Sequence, residues 1–318
     1  MAKYVLRRFG LMLLTLLVIS ILVFALSTVL PGDVGRTILG PYASNAQVAA
    51  LDRQLGYTQP LPVQYVDWLR SFVTGNWGDS VLLQVPIVSL VFGRLWNSFQ
   101  LALVALVIIV PVSVGMGVVA GLREDGFVDR TITTVGLSLT AIPEFVSGVI
   151  LLVVFGIKVK LFPITALSPP GSSFWTHLHY LILPAFPLMF VLFGYVARMA
   201  RSGTREVKES AYYRSAVLKG LMQRRVVWRH VLPNALVPTI TVVAVQCGFL
   251  VGGLVVIETL FNYPGIGSLE LSSAIGHDIP VLEYTTVILG AIIALANLVA
   301  DLSYALLNPK IRLGAKVA

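Results

Sequence analysis

The chain has 318 residues, 57% of them hydrophobic and 12% charged. Soluble domains carry about 25% charged residues, so this composition, with a mean hydropathy of +0.86, excludes a disordered tail protein and favours an integral membrane protein over a large soluble enzyme. One cysteine excludes a disulfide framework or a Cys-rich metal site, and a net charge of +8 reads as basic cytoplasmic loops rather than a nucleic-acid surface.

A span needs about 20 mostly apolar residues, and six segments qualify. The first lies between Arg8 and Asp33, after Lys3, Arg7 and Arg8. A secretory signal has an apolar run of only about 7–15 residues ending at a small-residue cleavage site. This run is longer and no A-x-A follows it, so a retained helix is expected. The outer piece 31–97 comes next and alternates turn signals with helical stretches. Ser44 or Asn45 can cap a helix with Val48, Leu51 and Leu55 at helical spacing and Gly56 at its end. A second stretch sets Val63, Val66, Leu69 and Val73 on one side, with Tyr65, Trp68 and Phe72 alongside. It fits either an interfacial helix or a small cap on its own bundle.

The second span lies between Arg94 and Arg123, the third over about 135–157, the fourth over about 180–197. They contain Pro111, Pro143, and Pro184 with Pro187, respectively. Proline removes a backbone hydrogen bond, and in lipid the freed carbonyls need partners within the protein. Broken helices can line a pathway or simply be kinked members of a bundle. Gly117-x-x-x-Gly121 and Gly248-x-x-x-Gly252 read as packing seams rather than a specific dimer face. The fifth span covers about 236–257 and the sixth about 284–306.

Between the fourth and fifth spans the inner loop 198–235 holds nine basic and two acidic residues. It is too apolar for disorder, with Tyr212, Tyr213, Leu218, Leu221, Met222 and Trp228. The spacing predicts a helix over about 205–219 ended by Gly220. A second is predicted over about 222–232, ended before Pro233. Such a helix can lie in a groove of a soluble partner, or its basic face can rest on anionic lipid. With six spans both termini fall inside. Seventeen Lys and Arg then lie inside, including Lys310, Arg312 and Lys316, against six outside, as the charge rule requires.

At this loop the sequence resembles the transmembrane subunits of ABC importers. Ser215-Ala216, three residues, Gly220, nine residues, then His230-Val231-Leu232-Pro233 keep the family's coupling-loop spacing. Ala216, Gly220, Leu232 and Pro233 match it. Arg214 stands where the general pattern has Glu, Ser215 replaces an Ala and His230 an Ile. The run from Tyr212 through Arg214 and Lys219 to Leu221, and Arg229 to Pro238, is similar to the peptide-permease branch. So are Leu30-Pro31-Gly32-Asp33, Glu258 to Gly267, Asn297 to Asp301, and Asn308-Pro309-Lys310-Ile311-Arg312.

The resemblance implies an all-α membrane protein of six transmembrane helices with the type I ABC importer transmembrane fold, B-type subunit. Its parts would be an N-terminal helix (1–32), an extracytoplasmic segment with short amphipathic helices (33–97) and a permease core (98–318). It further implies a heterodimer with a C-type permease subunit, two ATP-binding subunits below, and an extracytoplasmic solute-binding protein above. The cargo implied is short peptides, dipeptides first, with nickel chelates, glutathione or haem as alternatives. Tyr212, Arg214, Ser215, Ala216, Lys219, Gly220, Leu232 and Pro233 would form the ATPase-coupling loop. The location implied is the inner membrane of a prokaryote.

No G-x-x-x-x-G-K-[ST] loop occurs, so a P-loop ATPase site is not expected in this chain. ATP and Mg are expected in partner subunits, with no cofactor bound here. A self-sufficient secondary transporter would need midplane coupling residues and often an internal repeat; neither is evident. Ionisable groups in spans usually face the bundle or a wet cavity. Glu144, after Pro143, is the pathway candidate, and Glu258 a gate or docking candidate. Asn297 and Asp301, one turn apart, are read as structural polar residues. His177-x-His179 lacks a third ligand, so no metal is expected. Cys247 reads as a packing residue. No acid–base pair or activated nucleophile suggests catalysis.

Overall fold

In the computed structural model of the chain the described residues are 2–29, 36, 39–40, 42–54 and 58–307. Among them every named element is a helix. Leu30–Asp33, Leu55, Gly56 and the closing segment from Asn308, with Lys310, Arg312 and Lys316, lie outside the described residues.

Helix α1 (Ala2–Val29) carries the first apolar segment. Two short helices follow, α2 (Asn45–Gln54) and α3 (Leu61–Thr74). Ser44 starts α2. Its Oγ accepts from the Gln47 N–H at 3.3 Å, and Gln47 Oε1 accepts back from the Ser44 N–H at 2.9 Å, a reciprocal cap. On α3 the aromatic face turns inward. Trp68 and Phe72 stack on Tyr284, Phe72 stacks on Trp77, and Tyr65 OH bonds Ser20 Oγ of α1 at 2.8 Å. Val63, Val66 and Val73 stay exposed. The aromatic side of α3 thus packs on the bundle as a cap would, and its valines face outward.

Helix α4 (Ile87–Leu122) runs unbroken through Pro111. At 1.5 Å per residue it is about 54 Å long, well beyond the roughly 30 Å hydrocarbon core. It begins at Ile87, seven residues before the Arg94 that bounded the expected segment. The third segment is broken. Helix α5 (Phe127–Ala141) turns by 100° into α6 (Glu144–Leu151), which continues as a π-helical stretch, Leu152–Lys158. Ile142 is extended, as a residue before proline prefers, and Pro143 caps α6.

Helix α7 (Phe174–Glu209) passes through Pro184 and Pro187 without a break. It is followed by α8 (Ala211–Leu218), α9 (Gln223–Val226), a π-helical turn Val227–Val231, and α10 (Leu232–Leu260). Two inner-loop expectations are corrected here. The stretch 205–209 belongs to the long α7, and Ser210 rather than a residue near 205 starts the short helix. Pro233 does not end a helix. It follows the π-helical turn directly, inside a helical run that continues from Gln223 without a break, with Val231 and Leu232 both right-handed helical. Helices α11 (Ile266–Ile275) and α12 (Ile279–Leu307) complete the chain. Helix α11 was not foreseen: it is only ten residues long, with Ile266, Leu269 and Ser273 buried and Leu271 and Ile275 exposed, so apolar residues fall on both its faces. By length and composition four helices can cross a bilayer, or six when each bent pair counts once.

The centre of the bundle is α7. Two-thirds of its most apolar stretch is buried, against 6% for α1. Small residues make that possible. A side chain on Gly117 would overlap the Ala197 carbonyl, one on Gly136 would press on Phe193 and Gly194, and one on Gly203 would meet Ala235. The Gly117-x-x-x-Gly121 spacing is thus an internal α4–α7 seam. A Cβ on Gly121 would lie 2.7 Å from Thr204 Cβ and 2.8 Å from the Arg201 carbonyl, whereas Gly115 has nothing within 4 Å. Gly121→Ala is therefore expected to destabilise the purified protein by about 1–3 kcal/mol through overpacking. Gly115→Ala, one and a half turns away, is expected to be neutral or mildly stabilising. Equal thermal unfolding temperatures for the two variants would contradict the seam.

Candidate functional site

The C-terminal end of α7 leads directly into the motif. Ser210 separates two helices. Its N–H donates to the Val207 carbonyl at 3.1 Å, and its Oγ accepts from the Tyr213 N–H at 3.4 Å, capping α8. Helix α8 ends equally definitely. Gly220 is left-handed, φ +69. The Gly220 N–H donates to the Val217 carbonyl at 2.9 Å, and the Leu221 N–H to the Ala216 carbonyl at 3.4 Å. That pair of bonds is a Schellman stop, with Leu221 packed against Ala216 as the motif requires.

The motif residues then divide in two. Ala216 is buried with Val207, Val226, Val231 and Ala235 in a small core that fixes α8 to α7 and α10. Tyr212, Arg214, Ser215, Lys219, Gly220 and Pro233 are exposed, and Leu232 is half-buried. Leu218, Met222 and Trp228 are exposed by 87, 76 and 65%. Met222, Arg224, Arg225 and Trp228 line a surface pocket of about 400 Å³. An apolar cluster ringed by cations at the end of a projecting helix pair marks an interaction surface.

The nine cations of this loop are not equally available. Arg201, Arg205 and Lys208 face inward to Asp129 and Glu124. Arg198, Arg214, Lys219, Arg224, Arg225 and Arg229 make no ion pair among the described residues.

At the opposite end three buried carboxylates each hold a serine from the N-terminal half. Glu258, at the end of α10, accepts from Ser98 Oγ of α4 and from the Ser268 N–H at 2.9 Å. Ser98 Oγ in turn accepts from the Ile266 N–H at 2.8 Å. Glu258 thus caps α11 from a distance, and a side chain on Gly265 would overlap its carboxyl group. Asp278 accepts from Ser80 Oγ at 2.5 Å and the Leu82 N–H at 3.2 Å. Glu283 of α12 accepts from Ser27 Oγ of α1. Sequence reasoning singled out only the first of these. Asp278 and Glu283 were visible only as acids flanking an apolar run, without a sign of their distant serines.

The gate candidate Glu258 is therefore fully buried and serves as a clasp in this conformation. Beside it, Arg94, Asn262, Ser268 and Ser272 help line an open pocket of about 400 Å³. The pathway candidate Glu144 is half-buried in the first turn of α6, at the 100° corner. The helix N-terminus favours its negative charge. No ion pair joins it to another described residue. Asp301 pairs with Arg8 of α1 at 2.8 Å, a partner not foreseen, and Asn297 lies beside Gly248. His177 and His179 sit in the first turns of α7. His177 bonds Ser168 at 2.8 Å and Gln100 at 2.7 Å, while His179 packs on Phe162. No metal-binding group of three ligands occurs among the described residues.

Comparison with known proteins bears on this arrangement. The sequence profile of the family described as "Binding-protein-dependent transport system inner membrane component" matches residues 113–313, and that of its N-terminal region matches 1–114. The chain is 34% identical over 312 residues to the probable peptide ABC transporter permease protein y4tP of Sinorhizobium fredii, covering 98% of this chain and 100% of that one. It is 34% identical over 314 residues to the oligopeptide transport system permease protein AppB of Bacillus subtilis, covering 98% and 99%. It is 32% identical over 312 residues to the glutathione transport system permease protein GsiC of Salmonella typhimurium, covering 98% and 99%.

Proposed function

The chain belongs to the family of binding-protein-dependent transport system inner membrane components, and from that membership we propose that it moves short peptides, dipeptides first, through the membrane by alternating access. It is a multi-pass permease subunit of an ABC importer, and such an importer draws on ATPase and solute-binding partners. Our reading adds a C-type permease subunit as its heterodimer partner, two ATP-binding subunits holding ATP and Mg, and both termini in the cytoplasm. The chain contributes no ATPase site of its own in this reading, consistent with a sequence lacking a P-loop.

One observation carries the proposal: the capped α8 with Leu218, Met222 and Trp228 exposed beside Arg224 and Arg225. A short, rigid helix with an uncovered apolar face fits the groove of a soluble subunit. A lipid-resting face would instead keep its apolar residues under the basic ones. Cargo is the finer part of the reading. Two relatives carry peptide or oligopeptide in their names, and a third carries glutathione, itself a short peptide.

The test is reconstitution of this chain with its C-type partner, both ATPases and the binding protein in proteoliposomes. Dipeptides are expected to stimulate ATP hydrolysis and to accumulate inside. This chain alone is expected to move nothing. Stimulation by a nickel chelate or haem, with none by peptides, would replace the cargo and leave the architecture standing. Transport by the chain alone would overturn the dependence on partners.

A further inference from the structure

Three cations of the inner segment point away from any soluble partner. Arg201, Arg205 and Lys208 follow one another at four- and three-residue steps and so share one face of α7. That face meets the turn between α4 and α5. Asp129, 2% exposed in the first turn of α5, receives Arg201 through both oxygens, Nε to Oδ1 at 2.5 Å and Nη2 to Oδ2 at 2.7 Å. The same carboxylate accepts from the Asp125 N–H at 3.0 Å and from Thr133 Oγ1 at 3.3 Å. Glu124 pairs with Arg205 and, at 3.5 Å, with Lys208. Lys208 Nζ also donates to the Gly121 and Leu122 carbonyls at 3.2 and 3.4 Å. Those are among the last carbonyls of α4, which have no partner within their own helix.

The contacts are unequal. Arg205 and Glu124 are partly exposed, where ion pairs contribute little. The Asp129–Arg201 pair is two-pronged and shielded, the stronger geometry. The opposite face of the same α7 segment is occupied as well. Val207 packs into the small core with Ala216 of α8, and Gly203 lies against Ala235 of α10. The last turns of α7 are thus gripped from both sides. Only Ser210 separates them from α8.

We propose that Asp129 and Arg201 form a latch that passes displacement of α8 to α4 and α5, so that a partner's movement at α8 reaches the spans that pack around α7. Neither residue touches cargo or nucleotide, so both are positioning residues. The inference rests on the importer reading and adds to it the residues that carry the motion. A hinge at the α4–α5 turn would instead leave α8 free to rock without moving α4.

The test compares Asp129→Asn, Arg201→Gln and the double variant in the full reconstituted importer. Arg201→Gln strands the buried Asp129 carboxylate, and Asp129→Asn leaves the half-buried Arg201 without its counter-charge. The double places two amides that can bond to each other without charge. ATP hydrolysed per molecule of dipeptide accumulated is expected to rise about fivefold or more in each single variant. It is expected to return to within about twofold of wild type in the double. A ratio unchanged in both singles, even with lowered thermal stability, would reduce the pair to a structural contact and overturn the latch.

Hydrogen exchange on the purified chain in lipid nanodiscs separates this question from the importer reading. Asp129→Asn is expected to speed exchange in residues 119–129 and 205–218 together, leaving 279–307 as in wild type. Faster exchange confined to 119–129 would overturn the latch even in a working importer. A wild-type complex whose ATP hydrolysis ignores binding protein and peptide would sink the importer reading, while the exchange result still decides the latch.

Discussion

Proline at position 220 is expected to abolish uptake in the reconstituted importer while the chain still inserts and assembles. The reason is local. Gly220 adopts φ +69 and donates its N–H to the Val217 carbonyl at 2.9 Å. Proline is fixed near −65° and has no N–H, so both features of the stop are lost, and α8 would have to end differently. Space does not limit the site, since nothing lies within 4 Å of where a Cβ would stand. Backbone conformation alone should therefore rank the substitutions. Asparagine tolerates the left-handed region and should stay near wild type. Alanine should cost about 1–2 kcal/mol, and valine, β-branched, more than alanine. Uptake and peptide-stimulated ATP hydrolysis should fall in the order Gly, Asn, Ala, Val, Pro. Wild-type uptake by Gly220→Pro would take α8 out of the coupling path. A ranking by side-chain volume instead of backbone preference would reassign Gly220 to a contact surface.

That ranking could be anticipated at the level of the motif but not of its geometry. Gly220 was legible as a helix stop because glycine after an apolar-and-polar run is the commonest C-terminal signal. The opposite boundary was not. The run from Arg198 to Glu209 contains one weak breaker, Gly203, but that glycine is used for packing against Ala235 and α7 continues through it, and the serine that starts α8 competes with other capping residues nearby. Pro233 misled for a related reason. A proline usually ends or kinks a helix, whereas here the helix runs through it immediately after a π-helical turn. Segments of strong apolarity, such as those in α1, α4 and α12, were found within a turn or two of their observed limits. Pro143 was recognised as a break, but no local residue announced its 100° angle or that Gly148, a turn later, packs against Leu260 and Ile257.

Long-range polar pairing was the least visible layer. Arg201, Arg205 and Lys208 added to a cationic total, and nothing local distinguished them from Arg214 or Arg225. Their neutralisation depends on an acidic turn some 70–90 residues earlier, brought near by the glycine seam of α4 on α7. Asp301 was read as a structural polar residue with no partner named, and it meets Arg8 from the other end of the chain. In each case the residue type announced a buried polar interaction, and the tertiary fold alone supplied its partner.

Glu258→Ala is expected to be among the most destabilising single changes in the chain. The carboxylate is fully buried and its two oxygens face donors from two separate segments, Ser98 Oγ of α4 and the Ser268 N–H of α11. Truncation leaves both donors unsatisfied in an interior where each costs about 1–3 kcal/mol, and it opens a void as well. Glutamine keeps the volume but offers one acceptor in place of two. Its amide must turn an N–H toward either the serine, which can rotate its own hydroxyl to accept, or the Ser268 N–H, which cannot. The serine oxygen already accepts from the Ile266 N–H at 2.8 Å and can accept once more, but its own O–H then loses the acceptor that Glu258 supplied, so Glu258→Gln should fall between wild type and alanine. Ser98→Ala removes one donor and one acceptor of the same cluster, and its effect should not add to that of Glu258→Ala. A coupling of about 1 kcal/mol or more is expected for residues sharing one network. Thermal unfolding of the purified complex, read for the four members of the cycle, measures it. Strict additivity would mean that Ser98 and Glu258 act separately. Wild-type stability in Glu258→Ala would mean that α11 is held by its apolar contacts alone, and would return Glu258 to the residues free to serve an outer gate.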